Sequence, residues 1–251
     1  MNKFKAIVNQ YENFQTVIRS YNQSEKIIHK TIKDYLQANK EYQEIKLGRF
    51  FVDIFNNEEV IEIQTKQFNK LRAKLDYLLP KYKVTICYPI DHKKIIKWLD
   101  PNTFNVIEER KSPKVGNINE IFKELYRIKD YLENSNLCFK ILLIDVIEYK
   151  LLDGWNSSKK RGATKYEKVP VDLVREIDIK SLDDYKIFLP NDLPPTFTSA
   201  TYKSLTKISI RSARLALNIL RHLGIIEVVG KEKNAYVYSR CEYWNFMNFV
   251  V

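Results

Sequence analysis

LGRFFVDIFNNEEVIEIQ, residues 47–64, is the stretch whose reading decides the fold. Two β-rich runs, LGRFFVDIF (47–55) and VIEIQ (60–64), flank Asn56-Asn57 and read as a hairpin. Side chains alternate across a strand, so Glu62 and Gln64 share one face while Ile61 and Ile63 point the other way, into a core. The hairpin brings Asp53, near the end of the first run, close to Glu62. Polar side chains inside an otherwise apolar strand need a reason. Two carboxylates on adjacent strands can hold Mg²⁺, which prefers oxygen ligands and keeps several waters.

Upstream, Phe4, Ile7, Val8, Tyr11, Phe14, Val17, Ile18 and Tyr21 recur at helical spacing. Ser24 reads as an N-cap with Glu25 in the first turn, and the helix after it buries Ile27, Ile28, Ile32, Tyr35 and Leu36. Downstream, residues 66–79 return to the helical period until Pro80 ends them. KVTICYPI (83–90) reads as a buried strand, and 93–109 as a hairpin turning at Asp100-Pro101-Asn102. RKSPKVG (110–116) is a basic loop, 119–132 an amphipathic helix and 138–152 a long buried strand. The composition then changes: 154–168 is polar, with Trp155, Tyr166 and a concentration of basic residues that suits tracking a phosphate backbone. PVDLVREI (170–177) is expected as a short helix with Pro at its start, and NDLPPTFTS (191–199) as a linker. Strands alternating with helices imply an α/β domain on a mixed sheet.

From Thr198 onward the order is short helix, turn, longer helix, β-hairpin. Tyr202, Leu205 and Thr206 belong to the first helix. Ala213, Leu217, Ile219, Leu220 and Leu223 are the buried face of the second, which Gly224 closes. This pattern, with LRHLGIIEVVG as its most specific phrase, resembles the winged helix-turn-helix family over about 45 residues. Between 201 and 240 there are eight Lys or Arg and two acids. The resemblance implies that Ser209, Arg211, Ser212 and Arg214 meet the major groove, and that Lys231 and Lys233 on the wing sit near phosphates. A winged helix used only for protein contacts is the plain alternative.

The residues from 25 to 64 resemble the PD-(D/E)XK, restriction-endonuclease-like nuclease superfamily, whose core is α-β-β-β-α-β. Asp53 matches the Asp at a strand end, Glu62-Ile63-Gln64 matches Glu-x-Lys, and Glu25 matches an acid that many members carry on the preceding helix. The string EKIIHKTIKDYL resembles that helix too, and His29, one turn after Glu25, reads as a helix-face residue. The resemblance covers roughly 20–150 and implies metal-assisted phosphodiester hydrolysis. Asp53, Glu62 and Glu25 would bind Mg²⁺ (or Mn²⁺), and Gln64 would position a water. Gln64 departs from the usual Lys and supplies no positive charge. Taken singly, each residue also has a structural reading: a strand-end Asp53, a solvated hairpin face for Glu62 and Gln64, a helix-dipole acid at Glu25.

The chain has 251 residues, 45% of them apolar, so a real core can form; its charge of +11 and pI near 9.3 attract polyanions. No apolar run spans a bilayer, and the N-terminus has no signal-peptide core. Three scattered cysteines argue against a disulfide framework or a zinc cluster. The expectation is a cytoplasmic protein with DNA as partner, no membrane partner, and a homodimer as an open option. Its divisions are a nuclease-like domain at 1–152, a connecting region at 153–197 carrying Lys159, Lys160, Arg161 and Lys165 toward nucleic acid, and a small α+β winged-helix domain at 198–251. The functional expectation is a metal-dependent DNA endonuclease targeted by its C-terminal domain. The alternative is a catalytically inactive DNA-binding regulator or adaptor on the same fold.

Overall fold

The computed structural model describes residues 3–9, 26–154 and 162–241. Glu25, Trp155, Lys159, Lys160 and Arg161, named above as candidates, lie outside these residues. The chain divides into two compact units. One comprises Met1–Thr65, Ile86–Gly116 and Ile141–Ile177; the other comprises Lys66–Thr85, Asn117–Lys140 and Asp178–Val251.

The first unit begins with helices α1 (Lys3–Val8) and α2 (Ile27–Leu36). Helix α2 buries Ile27, Ile28, Thr31 and Ile32 and stops where Gln37 turns extended. A meander follows: β1 (Gln43–Leu47), β2 (Phe50–Phe55) and β3 (Glu59–Ile63), each antiparallel to the next. The β2–β3 turn forms where the sequence places it. Asn57 takes a left-handed φ of 73°, and the Asn56 side chain accepts the N–H groups of Glu58 and Glu59.

These strands belong to a seven-stranded sheet in the order β1-β2-β3-β4-β6-β7, with β5 on the second half of β4. Here β4 is Lys83–Leu99, β5 Val106–Lys111, β6 Leu137–Leu151 and β7 Thr164–Ile179. The expected hairpin between β4 and β5 is present, antiparallel from Ile95↔Lys111 to Leu99↔Val106. Strands β4 and β6 are parallel: Val84 N–H donates to Asn136 O at one end (2.8 Å) and Leu152 N–H to Leu99 O at the other (3.0 Å). Strands β6 and β7 are antiparallel, since Lys140 pairs with Asp178 while Thr164 N–H meets Asp153. The sheet is therefore mixed and the chain is α/β, as its alternation of elements implied.

Apolar side chains from α1 (Phe4, Val8) and α2 (Ile28, Ile32) pack on Ile63, Cys87, Leu142, Ile144 and Val146 of the sheet. Full burial of one such Ile contributes roughly 1.5–3 kcal/mol. Ile61 and Ile63 face this core, as their spacing required.

Two expected helices are corrected. Residues 170–177 lie inside strand β7. Val169, Val171, Val174, Ile177 and Ile179 suit a pleated surface, and Pro170, which lacks an N–H, is tolerated because β7 ends the sheet order. Residues 119–132 form no continuous helix. They make a 3₁₀ turn (Ile118–Ile121), a one-turn helix α4 (Phe122–Leu125) and a second 3₁₀ stretch (Tyr126–Tyr131) broken at Ile128. The Arg127 carbonyl, which would continue the ladder, is instead taken by Arg72 Nε (2.9 Å) and Nη2 (2.7 Å).

In the second unit, a 3₁₀ turn (Phe68–Leu71) runs into α3 (Arg72–Leu78), which stops before Pro80. Towards the C-terminus lie β8 (Thr196–Thr198), α5 (Ser199–Thr206), α6 (Ile210–His222), β9 (Ile226–Glu232) and β10 (Ala235–Arg240). Thr198 and Thr201 cap α5 reciprocally, and Ser209 caps α6 by accepting Ser212 N–H. Gly224, at φ 68°, ends α6, with Ile225 N–H reaching back to Leu220 O. All five expected apolar residues of α6 are buried; in α5, Tyr202 and Thr206 are buried but Leu205 is exposed. The three strands form a sheet in the order β8-β10-β9.

Candidate functional site

The candidate centre lies on the β2–β3 hairpin. The register pairs Ile54 with Ile61 and Phe55 with Val60, and continuing it by one residue sets Asp53 against Glu62. Residues so opposed share a sheet face, with Cβ atoms roughly 5 Å apart. At this point the ladder hands over to a side chain: Asp53 Oδ2 accepts the N–H of Ile63 at 2.6 Å. The Asp53 carboxylate is thus anchored on the residue between Glu62 and Gln64. Glu62 is only 4% exposed. The solvated hairpin face open to it from sequence is therefore not its environment. Gln64 follows the last residue of β3, and its N–H donates to Cys87 O of β4 at 2.9 Å.

Helix α2 adds a residue that sequence reasoning set aside. His29 Nε2 lies 3.4 Å from Asp53 Oδ2, so His29 faces the centre. Its position one turn beyond Glu25 was the available signal. Among the described residues no three His, Cys, Asp or Glu side chains converge as a complete metal-binding group. Asp53 and Glu62 are two carboxylates of the kind by which a hydrated Mg²⁺ is commonly held.

Other candidates separate. Lys165 is in β7, not in a loop, with its ammonium 3.5 Å from Glu148. Tyr166, taken as part of a phosphate-tracking segment, is buried against Ile27, Leu99, Tyr149 and Val169 and is a core residue.

A second polar constellation on β4, β6 and β7 had no sequence signal. His92 Nδ1 lies 2.7 Å from Asp145, which also accepts Lys93 N–H. Lys94 bridges Glu148 (3.0 Å) and Asp91 (3.4 Å), and Lys168 binds Asp91 at 2.7 Å. Burial pushes the Glu148 carboxyl up, but the Lys94 hydrogen bond and charge, with Lys165 and Lys150, hold it below its ordinary value. Burial likewise lowers Lys94, yet Glu148 and Asp91 leave it raised. Glu167 is the opposite case. Burial raises it despite the Lys168 N–H and the Lys26 ammonium; among the described residues its Oε2 accepts no hydrogen bond, with Lys26 Nζ 3.8 Å away.

In the second unit, Ser209, Arg211, Ser212 and Arg214 occupy the start of α6. Both arginines are exposed, and Ser212 is half-buried beneath its bond to Ser209. Lys231 ends in β9, and Lys233, at φ 53°, makes the turn into β10; both are exposed. No helix among the described residues is long and apolar enough to cross a membrane.

No solved structure matches the chain. A protein of Treponema pallidum (strain Nichols), bearing only the name "Uncharacterized protein", is 25% identical over 229 residues, which are 85% of this chain and 84% of that one. The family model Domain of unknown function (DUF8091) matches residues 26–180, from the start of α2 to the end of β7; this is more than half of the chain, and the chain belongs to that family.

Proposed function

We propose that this chain is a DNA-binding protein with a nuclease-type, metal-dependent phosphodiesterase centre on its β2–β3 hairpin. The observation that carries this reading is Asp53 seated on the Ile63 N–H at 2.6 Å, on a hairpin whose register, continued one residue past Ile54↔Ile61, sets Asp53 against Glu62. Two carboxylates facing each other in a chain of charge +11 repel the polyanion that the rest of the molecule attracts, unless a cation sits between them. The element order α2-β1-β2-β3-α3-β4, with β1 to β4 adjacent in that order, supports the α-β-β-β-α-β core of the PD-(D/E)XK superfamily.

In this reading Asp53 and Glu62 hold Mg²⁺ or Mn²⁺. A divalent ion held there would supply a water of lowered pKa and offset charge on the phosphate oxygens. Gln64 orients the attacking water by hydrogen bonding, since it carries no charge of its own. His29 fixes the rotamer of Asp53 from α2. The unit β8-α5-α6-β9-β10 serves as a winged helix that delivers DNA: a helix-turn-helix followed by a hairpin, with its third strand on β10, is the arrangement such domains use.

The test is supercoiled plasmid incubated with Mg²⁺ or Mn²⁺, with an Asp53→Ala/Glu62→Ala double variant beside it. Cutting by the wild type that is lost in EDTA and in the variant is the expected result. Equal binding by both proteins without cutting overturns the catalytic half of the proposal. It leaves the second reading, a catalytically silent DNA-binding regulator or adaptor, which Gln64 in the usual Lys position favours.

A further inference from the structure

The wing of the second unit is built in two halves. Its inner half is anchored: Tyr238 of β10 stacks on Phe197 of β8, with ring centroids 6.0 Å apart. Burial pushes the Tyr238 phenol up, with Tyr236 adding to the rise and the charges of Arg221 and Arg214 on α6 working against it. Between the halves the register slips. Val237 pairs with Gly230 but Tyr238 with Val228, leaving Val229 as an extra residue on β9, 51% exposed. A bulge of this kind increases local twist and re-aims the strand beyond it.

Beyond the bulge, Tyr236 stands directly opposite Lys231 and is 47% exposed. Lys231 Nζ is 5.1 Å from the Tyr236 ring centroid, and Lys233 follows at the turn. The Tyr236 ring meets Tyr238 edge-on, with centroids 6.4 Å apart, so the inner stack holds one edge of the ring while much of the side chain stays exposed. An exposed aromatic ring beside a lysine ammonium suits a stacked base with its phosphate.

We infer that Tyr236 is a stacking platform for an unpaired base, so that the DNA this protein selects carries a single-stranded segment beside a duplex. The inference rests on the DNA-binding reading above. It adds a substrate class to that reading: duplex ends with tails, forks or gaps in preference to continuous duplex. Lys231 and Lys233 hold the phosphates next to the stacked base, and the bulge at Val229 sets the ring's direction.

The experiment uses the full chain in EDTA and fluorescence anisotropy with three DNAs sharing one duplex: blunt, tailed with normal nucleotides, and tailed with abasic nucleotides. The abasic tail matches the phosphate count, so only base stacking separates it from the normal tail. The wild type is expected to bind the normal tail about tenfold more tightly than the abasic one. Tyr236→Phe is expected to keep that preference and Tyr236→Ala to lose it, with blunt-duplex affinity unchanged in both. Equal affinity for the two tails, or a preference that survives Tyr236→Ala, overturns the inference while leaving duplex binding intact. Failure of the wild type to bind any of the three removes the DNA-binding reading itself, and the inference with it.

Discussion

Asp53 accepts the backbone N–H of Ile63 at 2.6 Å, so its carboxylate is part of the sheet ladder as well as of the candidate centre. The two roles can be separated. Asp53→Asn keeps an oxygen acceptor for Ile63 and should melt close to wild type, yet lose metal-dependent plasmid cutting. Asp53→Ala leaves the N–H unsatisfied and should cost about 1–3 kcal/mol of stability in addition. Thermal melts of the two variants check this. If both melt like wild type, the hydrogen bond does not contribute to the ladder.

Metal affinity gives a readout independent of cutting. A ligand that binds only the folded state raises stability by mass action. Mn²⁺ is therefore expected to raise the melting temperature of the wild type but not that of a Glu62→Gln/Asp53→Asn variant. Isothermal calorimetry on the same pair should give one binding event and none. An equal shift in both proteins would place the ion elsewhere.

Much of this centre is legible in the sequence because its signals are local. The apolar alternation of Ile61 and Ile63 and the Asn56-Asn57 turn follow from one hairpin. The same holds for α6, whose buried face and stop at Gly224 are written within the segment. What escaped depends on distant neighbours. Strand β7 resembled a helix start because Pro170 suits a first helical turn. Its half-solvated position also breaks the alternation with Asp172, Arg175 and Glu176. Helix 119–132 was broken by Arg72, a residue 55 positions from Arg127. Tyr166 sits among basic residues in sequence, but its ring packs under Ile27 and Leu99. His29 acquires its role from a carboxylate on another element.

Glu148 and Glu167 should shape the pH dependence of stability in opposite senses. Glu148 has a folded pKa below its ordinary 4.5, so its contribution is present above that value and is lost as pH falls through the folded one. Glu167 has a folded pKa above 4.5, so its contribution is present below that value and fades as pH rises through the folded one. Glu148→Gln is expected to destabilise by about 2 kcal/mol at pH 7, since it strips the partly buried Lys94 of its principal partner, and the deficit should shrink in acid. Glu167→Gln should gain on the wild type as pH rises through the raised folded value of Glu167. Denaturant melts across a pH series decide it; a Glu167→Gln difference that stays flat with pH would rule out a titrating Glu167.

The basic end of α6 makes a quantitative claim about salt. Arg211 and Arg214 are exposed in the first turns of a helix that the winged-helix reading sets against DNA. A side chain that neutralises one phosphate releases about one counterion, so removing it weakens binding and flattens the dependence of log K on log salt by about 1. Lys231→Ala, at a phosphate, should weaken binding without changing discrimination among duplex sequences. Arg211→Ala or Arg214→Ala should do the same and also narrow discrimination among sequences if the arginine reaches base edges. Binding isotherms at four salt concentrations, on two unrelated duplexes, separate these outcomes. An unchanged slope in Arg211→Ala and Arg214→Ala together would take α6 off the DNA and turn the unit into a surface for protein contacts.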